Sequence, residues 1–363
     1  MIRSLLQGRS IVLRTDAGPR IGIGHVRRCL VLAEAAARQG ARPFFVLGQC
    51  DEGSRTRIES AGWPLVVLDH RSRFDGSAHL AAVSAPSIVI FDLSHSDAIN
   101  DATSLVDLVA ALRAVGSQTV LIDQPGELCL SAAAGIGVDL LVFPYLGAET
   151  QAVQPGPRRI VKGPSFAVMD SAYFAAGAAV RVIAPKAHRI LVTAGGGDPA
   201  GITVNFLEAL ADSTLPHMDV HVVIGPAFPA STVAAIRDMA ASSRHDVVLL
   251  DAPDSLAGEM AWCDIALSAS GVTKYELACT GTPALLVSTD SDHATMNGPF
   301  RELGTALDLG VVGTASPHDI AAALKELIAD AELRRAMSSA GRAAIDGRGG
   351  TRLFAMLAEA AVA

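Results

Sequence analysis

The chain is poor in aromatic residues, which make up 4% of its 363 positions, and only 18% of it is charged. A core with few rings must be built from Ala, Val, Leu and Ile, and half of all residues are hydrophobic by the wide count. That balance excludes a disordered, collagen-like or coiled-coil chain. Positive charge is not in excess: 29 Lys and Arg stand against 37 Asp and Glu, a formal net charge of −8. A nucleic-acid partner is therefore not expected, whereas a small anionic ligand needs only a few local arginines and backbone amides. Cysteine is scarce and scattered. Cys29, Cys50, Cys129, Cys263 and Cys279 form no CxxC pair and are odd in number, the pattern of reduced thiols in a cytosolic protein. No apolar run approaches the roughly 20 residues of a membrane span, and the opening MIRSLLQGRSIVLRTD is broken by Gln, Gly and Arg. The expectation is a cytoplasmic protein without membrane insertion.

What the sequence does have is a repeated alternation. Short β-branched runs at Ser10–Leu13, Pro43–Leu47, Pro64–Leu68, Ser87–Phe91, Thr119–Ile122 and Asp139–Phe143 are separated by stretches of helical length such as Val26–Arg38 and Ala102–Val115. Near-continuous apolar strands joined by helices imply buried parallel pairing. A second series starts at Ile190–Thr193 and continues through Val220–Ile224, Val247–Leu250, Ile265–Ser268 and Ala284–Val287. Between the two lies Gln151–Lys186, rich in Pro, Gly and Ala and without strand period. The length suits two domains. The sequence predicts two Rossmann-like, doubly wound α/β domains, over 1–165 and 188–345, with a linker at 166–187 and a C-terminal helix in 346–363. Two such domains facing each other would make a ligand cleft at strand C-termini.

The most informative stretch is RTDAGPRIGIGHVRRCLVLAEAAARQG. A strand ends in a loop holding Gly18, Gly22 and Gly24, and a helix begins near His25. Glycines there let the backbone approach a ligand, and free amides at a helix start favour an anion. His25 can face that anion or an attacking water; as a bare residue it reads equally as a helix cap. Arg14 and Asp16 at the strand end, and Arg27 on the helix, are candidate ligand contacts, whereas Arg28 reads more as surface charge. The glycine spacing is not the dinucleotide fingerprint G-x-G-x-x-G. In the second half, ILVTAGGGDPAGIT sends a strand into Gly195, Gly196 and Gly197, with Asp198 as a helix cap. Farther on, SASGVTKYELACTGTP sets Ser270, Gly271 and Thr273 at a helix start, with Glu276 one turn in. Small hydroxyls and glycine suit a diphosphate, and a carboxylate can accept both hydroxyls of a ribose. By themselves the glycine turn reads as a tight βα connection and Glu276 as an exposed helix carboxylate. Asp92, His95 and Asp97 in FDLSHSD read as a polar loop rather than a metal site. No hydrolase elbow, Walker loop or zinc motif is present.

RTDAGPRIGIGHVRRCLVLA resembles the R-x-D-x-G-x-x-I-G-x-G-H-x-x-R-C-L-x-L-A opening of the PseG/SpsG-like UDP-sugar hydrolases of the pseudaminic acid pathway. That family hydrolyses UDP-2,4-diacetamido-2,4,6-trideoxy-β-L-altropyranose. It has the two-domain GT-B fold shared with the MurG glycosyltransferase. The second-half segments resemble the family's I-L-V-T-x-G-G-S-D-P, with Ala194 and Gly197 as departures, and the GT-B nucleotide helix S-G-x-T-x-x-E followed by G-x-P. The resemblance implies that His25 is catalytic, that Glu276 holds the ribose, and that backbone near Leu250 meets the uracil. It also implies that Asp16, Asp92, Ser94 and His95 line the sugar side, with Asp16 and Asp92 counted as catalytic beside His25.

The likeness covers most of the chain and departs from it locally. Ser94 or His95 stands near a usual Tyr, Gln124 replaces an acidic residue, Asp170 replaces Arg, and Asp292 and His293 stand where D-N-Q has Asn and Gln. An imidazolium at His293 would replace an amide donor beside the diphosphate. The implied reaction is attack of water on the anomeric carbon of a UDP-sugar, needing no metal or cofactor, because amides and helix ends hold the leaving diphosphate. A glycosyltransferase using the same donor, and a non-catalytic nucleotide-sugar binder, are the alternatives.

Overall fold

A computed structural model describes residues 6–18, 21, 23–69, 74–82, 87–93, 102–124, 129–131 and 135–360. The chain divides into two compact units, Met1–Met169 with Arg348–Ala363, and Asp170–Gly347.

The first unit is a seven-stranded parallel sheet in the order β3-β2-β1-β4-β5-β6-β7. Its strands are β1 (Ser10–Thr15), β2 (Arg42–Leu47), β3 (Leu65–Val67), β4 (Ile88–Asp92), β5 (Gln118–Ile122), β6 (Leu140–Phe143) and β7 (Arg159–Lys162). Helices α1 (Gly24–Ala37), α2 (Glu52–Ser60), α3 (Gly76–Ala82) and α4 (Ala102–Ala114) fall between strands. The period of two divides each strand between two cores. Ile11, Leu13, Ile88 and Ile90 face one cluster, together with Val26, Leu32 and Ala33 of α1. Val12, Val89 and Phe91 face the other, with Leu105, Leu108 and Leu112 of α4. This is why buried parallel strands appear as unbroken apolar runs.

The second unit repeats the plan with six parallel strands in the order β10-β9-β8-β11-β12-β13. These are β8 (Arg189–Thr193), β9 (Asp219–Ile224), β10 (Asp246–Asp251), β11 (Ile265–Ala269), β12 (Ala284–Ser288) and β13 (Leu307–Val311). Its helices are α5 (Ser171–Ala178), α6 (Ile202–Leu210), α7 (Ala230–Ala241), α8 (Ala257–Trp262), α9 (Thr273–Thr280), α10 (Ser291–Thr295), α11 (Gly298–Glu302), α12 (Pro317–Ala329) and α13 (Ala331–Ala344). The last helix, α14 (Gly349–Ala360), belongs to the first unit, where Leu353, Phe354 and Leu357 join the core under α1. Among the described residues no helix is long and apolar enough to cross a membrane.

Part of the segment read as connection is sheet. Residues 159–162, RIVK, form the edge strand β7, hydrogen-bonded along β6. With Arg and Lys at its two ends and one face open to water, it lacks the apolar run that marks the inner strands. Helix α5 within the same segment packs in the second unit: Asp170 caps it through Ala172 N at 2.8 Å, and the Leu256 amide donates to Tyr173 Oη at 3.3 Å. The residue that departs from the family's Arg therefore serves as an N-cap.

Candidate functional site

In each sheet the strand order reverses beside the first strand of the unit, between β1 and β4 and between β8 and β11. Loops at the carboxyl ends of such strand pairs splay apart and leave a crevice where ligands bind. Most of the described residues singled out by sequence lie at these two places.

At the first, β1 runs into a loop and α1 opens at Gly24, with His25 in its first turn. The helix has Ile23 at its N-cap and no side-chain cap bond, so His25 is not capping it. Instead His25 Nδ1 lies 2.7 Å from Oδ1 of Asp92, the last residue of β4. Asp92 is wholly buried and bound twice more: Arg28 Nε donates to Oδ2 and Arg28 Nη2 to Oδ1, each at 2.5 Å. Arg28 Nη1 donates to the Tyr145 hydroxyl at 3.0 Å, in the loop after β6. Burial alone would raise the Asp92 carboxyl. The adjoining Arg28 guanidinium, and then His25, outweigh it and hold the group well below the usual carboxylate range. An ionised Asp92 can only accept, so Nδ1 of His25 carries the hydrogen and the ring's lone pair lies on Nε2. His25 keeps 19% of its side chain exposed. A partly accessible imidazole oriented by a buried carboxylate can take a proton from water or an alcohol. Cys29, 4.0 Å from Asp92 Oδ2, is no rival nucleophile: burial, then the Asp92 charge, push its thiol well above the usual range.

Arg14 and Asp16 form a second charged cluster beside the first. Arg14 is wholly buried, donating through Nη1 to Asp16 Oδ1 at 2.7 Å and through Nε to His79 Nε2 at 3.1 Å. It also lies over the Phe74 ring at 5.3 Å. Asp16 Oδ1 accepts further bonds from the Gly48 and Gln49 amides, both at 2.9 Å. Asp16 therefore ties the loop after β1 to the loop after β2. Burial works to raise its carboxyl, and Arg14 with the two amides holds it below the ordinary range. His79 receives from Arg14 on Nε2 and gives Nδ1–H to the Asp75 carbonyl at 2.8 Å, an arrangement only the neutral ring can make. Burial, then Arg14, push its pKa down to about 4.

At the second place, β8 ends in the glycine turn. Gly195 has φ +78, a left-handed conformation that favours glycine. The neighbouring loop packs closely: a Cβ on Gly225 would stand 2.5 Å from the carbonyl oxygens of both Gly195 and Gly196. Asp198 caps α6 by accepting from Ile202 N at 2.8 Å and Thr203 N at 2.9 Å. Beyond β11, Ser270 is buried, Gly271 exposed, and Thr273 and Glu276 half-buried in the first turn of α9. Leu250 is half-buried near the end of the edge strand β10. Asp292 and His293 lie exposed on α10, where His293 Nδ1 is 2.8 Å from Asp290, the cap of that helix. Asp123 accepts from Leu130 N and from Ser131 N and Oγ.

The structure thus brings together His25 and Asp92 in the first unit, and separately Gly195–Gly197 with Ser270–Thr273 at the switch point of the second. Gly22, Ser94 and His95 lie outside the described residues. Arg27 is exposed, while its neighbour Arg28 makes the buried pair. Sequence reasoning passed over Arg28 and Tyr145. Helical spacing held the signal for the first, since positions 25 and 28 share a face. Among the described residues no group of three or more His, Cys, Asp or Glu is placed to hold a metal ion.

No family model matches the chain. Its sequence is similar to the spore coat polysaccharide biosynthesis protein SpsG of Bacillus subtilis, 22% identical over 345 residues that cover 94% of this chain and 96% of that protein. The fold is that of MurG from Acinetobacter baumannii, with a TM-score of 0.67 and 13% identity over 96% of this chain and 99% of that one. It is also that of a UDP-GlcNAc 2-epimerase from Neisseria meningitidis solved with UDP-GlcNAc, with a TM-score of 0.61, 14% identity, and 96% and 100% of the two chains covered. The architecture is GT-B.

Proposed function

We propose that the protein is a sugar-nucleotide enzyme of surface-polysaccharide biosynthesis that hydrolyses a UDP-sugar at its anomeric carbon. The observation that carries the reading is the His25–Asp92–Arg28 constellation: an imidazole held by a buried, ionised carboxylate and partly open to solvent. In this reading His25 Nε2 orients water and accepts its proton as the C–O bond to the water forms and the bond to UDP breaks. The proton passes to the imidazole and the electron pair to the diphosphate. Asp92 stabilises the imidazolium, and Arg28 keeps Asp92 ionised. In the second unit, amides of Gly195–Gly197 and of Ser270–Thr273 hold the departing diphosphate, and Glu276 the ribose.

Two glycines support it. Gly24 and Gly271 each sit just before or at a helix start, have no positive φ, and would find open space for a Cβ. Among the described residues nothing packs where a Cβ would stand at either, which leaves room for close approach by a ligand. The similarity to a polysaccharide biosynthesis protein and the fold shared with proteins of UDP-sugar chemistry support the substrate class. The nature of the sugar follows only from the family resemblance, which points to a 2,4-diacetamido-2,4,6-trideoxyhexose of nonulosonic acid biosynthesis. The test is release of UDP from a panel of UDP-sugars that includes this one. Release in buffer alone supports hydrolysis. Release only when a sugar or lipid acceptor is added overturns it in favour of transfer, and binding without turnover overturns catalysis.

A further inference from the structure

The second unit holds a closed polar network centred on Asn297, which is wholly buried. Its Oδ1 accepts from Lys274 Nζ at 3.0 Å, and its Nδ2 donates to Ser288 Oγ and to Asp308 Oδ1, both at 3.0 Å. An ammonium can only donate and a carboxylate can only accept, so the two charged ends fix the amide's orientation. Lys274 is itself 95% enclosed, donates also to the Met296 carbonyl at 3.1 Å, and lies 5.1 Å from the Phe300 ring. Burial pushes its pKa down to about 8 against the opposing charge of Asp308. Ser288 Oγ lies 2.8 Å from Ser270 Oγ, and the two residues are 0% and 2% exposed.

The proton count of this network does not close. Two hydroxyls bring two hydrogens and share one bond. The other partner of the pair is Asn297 Nδ2, itself a donor. One hydroxyl hydrogen therefore lacks an acceptor among the described residues. Ser288 lies at the enclosed end, whereas Ser270 precedes the exposed Gly271 in the loop after β11. The pair can be bonded in either direction; with Ser288 donating to Ser270, the surplus hydrogen belongs to Ser270, the residue on the loop. A buried donor without a partner is costly, and an acceptor from a ligand would remove that cost.

We propose that Lys274 and Asp308 act through Asn297 and Ser288 as positioning residues that hold the Ser270 hydroxyl as a donor to a phosphate oxygen of a nucleoside diphosphate. The proposal rests on the nucleotide reading above and adds a specific acceptor and a relay behind it. Asn297→Asp is the incisive variant. A carboxylate there accepts from Ser288, so Ser270 must donate inward and its outward hydrogen is lost.

The experiment measures UDP by calorimetry and uridine by ligand-observed NMR on the full chain. Ser270→Ala should weaken UDP about tenfold or more, the scale of a hydrogen bond to a charged group, and leave uridine unchanged. Asn297→Asp should do the same, and the double variant should be no weaker than either single one. Additive losses, or equal losses on UDP and uridine, overturn the relay. Should Asn297→Asp not fold, Lys274→Met carries the test. It releases the amide and should weaken UDP selectively, with Lys274→Arg restoring binding; unchanged UDP affinity in Lys274→Met overturns the proposal. If wild-type protein binds no UDP, the nucleotide reading falls and the relay with it. If it binds UDP and Ser270→Ala binds equally well, the relay alone falls.

Discussion

The two sheets share one plan, a parallel order that reverses beside the first strand of each unit, yet their carboxyl edges are furnished with opposite chemistry. In the first unit, Arg14, Asp16, Arg28 and Asp92 meet as buried or nearly buried ion pairs. In the second, the edge is glycine, hydroxyl and backbone amide beside the buried capping carboxylate of Asp198, with one buried ammonium set behind it at Lys274. Fixed charge in a low-dielectric setting holds a proton-transferring group in one tautomer and one orientation. Uncharged amides bind an anion without first having to be stripped of a counter-charge. One architecture thus carries two kinds of furnishing, set by residues at strand ends, in first helical turns and in the loops between them.

The comparison breaks most sharply at His25. His25→Phe should lower turnover of the UDP-sugar by a factor of about 10²–10⁴, the range for loss of a general base, with UDP affinity unchanged. Steady-state kinetics beside calorimetry checks this. Loss of UDP binding in step with turnover would move His25 to the nucleotide's side of the comparison.

Next comes the charge pair itself. Arg28→Met leaves the Asp92 carboxylate buried and uncompensated, which should cost about 3–5 kcal/mol in urea unfolding. The double variant Arg28→Met with Asp92→Asn removes both charges and should recover a good part of that loss. A single variant as stable as wild type would show that the pair is not the organising feature of this edge. Gly225→Ala probes the other edge. A Cβ meeting two carbonyl oxygens at 2.5 Å must displace the glycine turn, at roughly 1–3 kcal/mol of stability, and UDP affinity should fall with it. Glu276→Ala should cost about 1–3 kcal/mol in UDP affinity with little change in unfolding. Unaltered UDP affinity in calorimetry would remove the ribose role.

How much of this was legible in the sequence follows the same division. Inner strands declare themselves because both faces are buried, so runs such as Ile88–Asp92 and Ala284–Ser288 carry no polar alternation. The edge strand β7, RIVK, is charged at both ends, and β13, LDLGV, is interrupted by Asp308 and by Gly310 at φ +82, so neither carries that signal. The glycine turns were visible because their residue types are unusual at any one place. The pairing of His25 with Asp92 joins positions 67 apart, and only the parallel register of β1 with β4 brings their loops together. Asp16 has the residue type of a sugar ligand, but three hydrogen bonds across two loops are a tertiary fact. Lys274 looks like any helix-surface lysine until Asn297, 23 positions on, is seen to cover it.

The remaining expected effect is a pH dependence to which His79 of the first unit contributes. His79 is neutral in the fold because Arg14 donates to its Nε2 and its Nδ1–H is given to Asp75. In the unfolded chain the ring takes a proton near pH 6.5, in the fold only near 4. Between those values the unfolded state binds more protons, so acid favours unfolding. The loss begins as pH falls through about 6.5 and levels off below about 4, reaching about 1 kcal/mol at pH 6. Asp16 and Asp92 act lower. Their carboxyls are held below the ordinary value of 3.8, so their contribution is present above it and is lost only on further acidification. The two windows can therefore be separated. Urea unfolding of wild type should show stability falling between pH 6.5 and 4.5, and His79→Gln, which keeps an acceptor for Arg14 but does not titrate, should flatten that slope while leaving the drop below pH 4. The second unit supplies the contrast. There His245, whose pKa burial also lowers, adds to the acid loss, whereas Lys274, with a folded pKa of about 8 against 10.5 unfolded, makes stability rise with pH above about 8, so hydrogen exchange should find the amides of both units weakened by acid and those of the second unit strengthened by mild alkali. A His79→Gln variant with the wild-type slope would show that the acid response belongs to other groups.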